Sequence, residues 1–314
     1  MGRIMSYRIE MAVLKKCIKN IDLVKTIVYA TDYSSASIAA LLYASGITKA
    51  LGVRMVLTHV YQLSAILGST AEKSFPELST ASKSQERKKL KNFYEKYLGK
   101  VEDDSLVRFE PVAHTSIIKG IVSKAMDWQA FAIFMGMKMQ NKLREVIVGS
   151  TVGSLFGTSP CPVWAIPSDT VYAPLETIVY ASDFEEEDIY AIRSLAEMAS
   201  PFRAEIRIVH IATEKEFTGA VQMDWFREFL GKELSYKHIR FELLLSNHIQ
   251  NRLVSYLKEE DVDLLVMLER ENKSFLEKWL RTDMVNKMES YAKIPLLVFR
   301  EHNHQVFYFA PSYE

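Results

Sequence analysis

Short apolar runs alternate with longer amphipathic segments along nearly the whole chain. The runs predict strands near 25–30, 53–60, 106–113, 131–135 and 161–166, and again near 176–181, 204–211, 238–245, 263–267 and 294–299. Apolar positions at helical spacing predict helices near 35–51, 80–98, 115–127 and 148–156, with further helices between the later strands. Strands that are apolar on both faces, each followed by a helix, indicate a parallel sheet covered on both sides. In such doubly wound sheets ligands bind outside the carboxyl ends of the strands, where the strand order reverses.

The pattern occurs twice. "TIVYATDY" at 26–33 and "TIVYASDF" at 177–184 match at six of eight positions, at an offset of 151, and the same offset sets "LTHV" at 57–60 against "IVHI" at 208–211. Later segments align at offsets of 132 and 133, so the second copy is shorter by about 19 residues. The extra residues fall in "YQLSAILGSTAEKSFPELSTAS", whose Ser, Thr, Gly and Pro content reads as loop. The expected fold class is therefore α/β, with two tandem doubly wound domains at 1–170 and 171–314. Each would hold a five-stranded parallel sheet with about four helices, and "PSDTVYAPLE" would be the seam.

Composition narrows the function classes. The 314 residues carry 39 basic and 39 acidic side chains, so charge gives no reason to expect nucleic acid or an anionic membrane as partner. No apolar run approaches the ~18 residues of a spanning helix. Two cysteines without a C-x-x-C fit a reducing, cytoplasmic setting.

Candidate chemistry gathers at the predicted strand ends. Thr31 and Asp32 follow strand one, Val60 closes strand two, and Gly136 follows strand four; Gly149, Ser150 and Thr151 open the next helix. A glycine-rich loop running into a helix N-terminus presents backbone N–H groups to an anion. Lys138, Lys142 and Arg144 lie in the loop. Asp32 has two readings, a hydrogen-bonding partner for a ribose or a cap for the helix at "YSSAS". The recurrence of Asp183 in the second copy favours the cap. His59 and His210 read as core histidines, and Cys161 as packed and inert. No G-x4-G-K-[ST], G-x-G-x-x-G or G-x-S-x-G motif occurs. His302 and His304 read as an exposed tail, so neither a catalytic nor a metal residue is expected.

The spacing G-x2-G-x9-G-[ST] after the fourth strand, with "ATDYSSASIAAL" after the first, resembles the universal stress protein family, and "LTHV" and "SPCPVWAIP" extend the likeness over both copies. The resemblance implies that the glycine loop holds ATP phosphates and that Asp32 and Val60 contact adenosine, with Gly136, Gly149, Ser150 and Thr151 at the phosphates. Met139 stands where the second glycine belongs. If that position needs a positive φ, the side chain costs about 1–2 kcal/mol and weakens binding about tenfold. In the second copy Leu268, Glu271 and Arg281-Thr282 replace the motif, and Glu269, Glu271 and Asp283 add negative charge where a triphosphate would lie. That copy is expected not to bind ATP.

The expectation is a non-enzymatic stress-response protein that binds ATP, with or without Mg, in its first domain only. The resemblance also implies an intrachain pseudo-dimer through the last strand of each domain. Two other functions stay open: an interaction scaffold without nucleotide, whose protein partner is met through segment 61–83, and a slow ATPase.

Overall fold

The structure, a computed structural model, describes residues 24–62, 75–137, 150–213, 219–270 and 293–301. In chain order its strands are β1 (Thr26–Ala30), β2 (Arg54–Thr58), β3 (Val60–Tyr61), β4 (Val107–Phe109), β5 (Val112–Ala113), β6 (Ala132–Met137), β7 (Val163–Pro167), β8 (Thr177–Ala181), β9 (Glu205–Ala212), β10 (Ile239–Leu245), β11 (Leu264–Glu269) and β12 (Leu296–Arg300). The helices are α1 (Ser35–Leu51), α2 (Phe75–Leu98), α3 (Ile117–Asp127), α4 (Ser150–Thr158), α5 (Glu186–Ala199), α6 (Gly219–Glu233) and α7 (Ile249–Glu259).

Ten of the strands form one sheet in the order β10-β9-β8-β11-β12-β7-β6-β1-β2-β4. Every neighbouring pair is parallel except β12 with β7, where Leu297 lies opposite Trp164 in antiparallel register. The sheet is thus two five-stranded parallel halves that meet at one antiparallel seam. The expected α/β class with a covered, mostly parallel sheet holds.

Alternation along the strands assigns the two faces. Ile27 and Tyr29 join α1, α2, α5 and α6 in one core; Val28 and Ala30 join α3, α4 and α7 in the other. Both cores run through both halves. At the seam the Trp164 ring stacks on Phe134, with centroids 5.0 Å apart.

Local chemistry sets the element ends. Gly52 closes α1 in the left-handed conformation (φ 64°), where a Cβ would be strained. The Ser116 side chain caps α3 by accepting the Lys119 N–H. Between β7 and β8, Tyr172 lays its ring against Gly46 of α1, where any larger residue would collide with it.

Three predicted boundaries change. The strand expected at 53–60 breaks at His59, and that expected at 106–113 breaks at Glu110 and Pro111; the tails, β3 and β5, pair with each other as a separate two-stranded sheet. Proline has no N–H to continue a ladder. The helix expected near 80–98 begins earlier, at Phe75, inside the segment 61–82 whose composition reads as loop, because Pro76 is acceptable in a first helical turn and the residues after it continue the helix.

A strand-end crevice at each switch point

From β1 the chain moves outward to β2 and β4, then returns to place β6 on the other side of β1. The strand order therefore reverses between β1 and β6, and the carboxyl ends of these strands frame a crevice.

Thr31 continues β1 by donating its N–H to Thr58 O (3.0 Å), and its Oγ1 accepts the Tyr33 N–H at 2.9 Å. The second bond holds Tyr33 at a φ of 61° and turns the chain sharply into α1. Asp32 is exposed at the rim of this turn. Its Oδ1 accepts the Ser34 N–H at 3.0 Å and the Ser37 hydroxyl at 2.7 Å. Asp32 is not the helix cap: Ser34 occupies that position, and Asp32 braces the turn two residues ahead of it.

Val60 begins β3. The ladder with β5 uses the carbonyls of His59 and Tyr61, which accept from Val112 and His114. Strand alternation turns the Val60 N–H and C=O to the opposite edge. The Val60 side chain packs on α3, where a Cβ on Gly120 would come within 2.9 Å of both valine methyls. His59 sits in the break between β2 and β3, its Nδ1 2.8 Å from Thr31 O. A carbonyl only accepts, so Nδ1 carries the proton.

Gly136 lies near the end of β6, and its backbone touches the first turn of α1. A Cβ there would collide with Ala36 C and O and stand 2.7 Å from Ser37 N. This close approach alone demands glycine. Thr31, Asp32, Val60 and Gly136 therefore all lie at or just beyond the carboxyl ends of β1, β2 and β6. Ser150 and Thr151 stand at the start of α4, whose Val152, Leu155 and Phe156 are buried. Met139 and Gly149 lie outside the described residues, as do Lys138, Lys142 and Arg144.

The second half repeats the frame with different contents. His210 Nδ1 donates to Ser182 O at 2.7 Å, and Phe184 adopts a φ of 56°, as at His59, Thr31 and Tyr33. Tyr33 packs on His59 and Phe93, and Phe184 on His210 and Phe226. The order again reverses, here between β8 and β11. Leu268 occupies the place of Gly136.

Arg270, just past β11, reaches across this switch point. Its Nη1 is 2.9 Å from Asp183 Oδ2, its Nη2 3.0 Å from Asp188 Oδ1, and its Nε 3.6 Å from Glu185 Oε2. The neighbouring carboxylates hold its guanidinium more firmly protonated than usual, against the opposing effect of burial. Burial raises the Asp188 carboxyl above its ordinary value, while Arg270, Ser182 and Tyr180 pull it back. Sequence reasoning missed this cluster. Its signal was one arginine after the fourth strand set against the acidic run "DFEEED" after the first. Of the residues counted as repulsive there, Glu271 and Asp283 lie outside the described residues, as do Arg281 and Thr282.

Among the described residues no helix is long and apolar enough to cross a membrane, and no group of three or more His, Cys, Asp or Glu is set to hold a metal ion.

Residues 24–167 match the Universal stress protein family. No curated protein sequence matches the chain. A universal stress protein from Archaeoglobus fulgidus is similar in structure over 88% of this chain and 99% of its own, with a TM-score of 0.60 and 17% identity. A putative universal stress protein from Pseudomonas aeruginosa covers 90% of this chain and 97% of its own, with a TM-score of 0.49 and 14% identity. The universal stress protein from Archaeoglobus fulgidus in complex with dAMP covers 46% of this chain and 98% of its own, with a TM-score of 0.31 and 15% identity. At these identities, and with the TM-score of the first alone above one half, the likeness is one of fold.

Proposed function

Because residues 24–167 carry the universal stress protein signature, we propose that this chain is a non-enzymatic stress-response protein that binds an adenine nucleotide, ATP above all, in its first strand-end crevice. One observation carries the reading: beyond the carboxyl ends of β1 and β2, the Asp32 carboxylate is exposed and Val60 turns its backbone N–H and C=O away from its pairing with β5. A main-chain N–H and C=O side by side suit the hydrogen-bonding edge of adenine, and an exposed carboxylate suits ribose hydroxyls. Ser150, Thr151, Gly149 and Met139 belong to the phosphate end in this reading, with Mg²⁺ held through the phosphates.

A binding role, rather than catalysis, is favoured by how Asp32 is engaged. Its Oδ1 is committed to Ser34 and Ser37, which suits a positioned acceptor better than a general base. The two halves are read as tandem copies joined as an intrachain pseudo-dimer. The antiparallel seam and the repeated His59–Thr31 and His210–Ser182 bonds support this. A scaffold role without nucleotide has one observation in its favour: Val221 and Trp225 stand one turn apart on α6, 71% and 48% exposed.

Calorimetric titration of the full chain with ATP, ADP and AMP, each with Mg²⁺, tests the proposal. Saturation at one site per chain, weakened in Asp32→Ala, is the expected result. No saturable heat at millimolar nucleotide overturns it and leaves the scaffold reading.

A further inference from the structure

The second crevice already holds a group, supplied by the chain. At its base lies Asp188, 1% exposed, with four donors on its two oxygens. Oδ1 accepts from Tyr180 OH at 2.8 Å and Arg270 Nη2 at 3.0 Å; Oδ2 accepts from Ser182 Oγ at 2.7 Å and the Glu185 N–H at 3.3 Å. Asp183 and Glu185 stand nearer the surface, their side chains 49% and 35% exposed, and flank the guanidinium from the solvent side. The arginine side chain itself is only 9% exposed. At the offset of 151, Ser37 is the counterpart of Asp188 and Asp32 that of Asp183. The first half therefore has one carboxylate and a hydroxyl where the second has two carboxylates, and Lys138 stands at the sequence position that matches Arg270.

The fit is specific to a planar fork. A guanidinium presents donors in several directions within one plane; here Nη1 and Nη2 donate to Asp183 and Asp188, and Nε lies 3.6 Å from the Glu185 carboxylate without a hydrogen bond. An ammonium is a point donor that could not span the three. Leu268 stands in the place of Gly136, whose side without a Cβ is filled by the first turn of α1 in the first half.

We propose that the second strand-end crevice is a guanidinium socket, and that the chain fills it permanently with Arg270. The crevice at the second switch point is then occupied rather than decayed, and the ligand class it selects is a planar organic cation. This holds whether or not the first crevice takes a nucleotide.

Chemical rescue tests it on the full-length chain. Arg270→Gly empties the socket, and its thermal unfolding is followed with and without low-millimolar ethylguanidinium, with ethylurea as the neutral control. The expected result is a lowered midpoint that ethylguanidinium raises saturably and ethylurea does not, no rise in the parent chain, and loss of the rescue when Asp188→Asn is added. A folded Arg270→Gly chain that ignores ethylguanidinium overturns the proposal, as does equal rescue by ethylurea. If Arg270→Gly does not fold, adding Asp188→Ser, which removes the buried charge left alone, is expected to restore folding. Failure of that pair to fold overturns the proposal too.

Discussion

Asp188 and Arg270 are 82 residues apart in sequence, yet the guanidinium Nη2 lies 3.0 Å from the carboxylate Oδ1, beneath the turn that follows β8. Each answers a difficulty raised by the other. A buried carboxylate alone is strongly disfavoured, and a guanidinium that is 9% exposed needs acceptors.

The pair makes stability depend on pH in a definite direction. Burial raises the Asp188 pKa, so the folded chain holds this proton more tightly than the unfolded chain does. The group therefore favours folding most below its unfolded value, near 3.8, and that contribution is lost as pH rises through the folded value. Arg270, Ser182 and Tyr180 limit the rise, while Asp183 adds to it. Without the arginine, Asp183 and Glu185 face Asp188 uncompensated. Arg270→Met is expected to lose about 3–5 kcal/mol at neutral pH. Part of that deficit should return on acidification toward pH about 5. Urea unfolding of both chains at the two pH values checks this; a deficit that does not change with pH contradicts it.

Gly136 and Gly157 should respond oppositely to alanine. At Gly136 the added carbon meets the Ala36 carbonyl, so Gly136→Ala is expected to cost about 1–3 kcal/mol. Gly157 lies inside α4 with nothing within 4 Å of a Cβ, so Gly157→Ala should stabilise by up to about 1 kcal/mol. Denaturant midpoints of the two variants, measured side by side, decide the matter.

For Asp32 the expectation separates binding from folding. The side chain is exposed and its bonds brace a surface turn, so Asp32→Ala should change stability by no more than about 1 kcal/mol. Nucleotide affinity should fall about tenfold or more if the carboxylate meets the ribose. A variant that binds as the parent does would remove Asp32 from the site.

Cys161 should be silent toward thiol reagents. It is 1% exposed, and burial pushes its thiol up to about 12, which leaves almost no thiolate at neutral pH. Alkylation read by peptide mass should find it unmodified in the native chain and modified in urea.

Much of the fold was legible because buried parallel strands are written as apolar runs. "TIVYA" appears at both β1 and β8, and the seam strands are equally plain. The breaks in the second and third strands were harder to see. Pro111 announced one of them, but the other depends on the His59 ring bonding to Thr31 O from another strand. At the first crevice, the strand ends that carry Asp32, Val60 and Gly136 were legible in the sequence, whereas the contact of Gly136 with α1, which by itself requires a glycine, was not. Arg270 stayed hidden because adding nearby charges along the sequence ignores partners that lie 82 and 87 residues away.

The antiparallel contact between β7 and β12 frees the two halves from a constraint that binds symmetric assemblies. When two identical subunits meet about a twofold axis, every substitution appears twice, and a change that closes one crevice closes both. Here both halves are encoded separately on one polypeptide. Gly136 and Lys138 can stay in one half while Leu268 and Arg270 occupy the matching positions across the seam. The contact cannot be undone by dilution either, since its two sides are never separate molecules. Asymmetry between the crevices is thus compatible with a fully assembled sheet at any protein concentration.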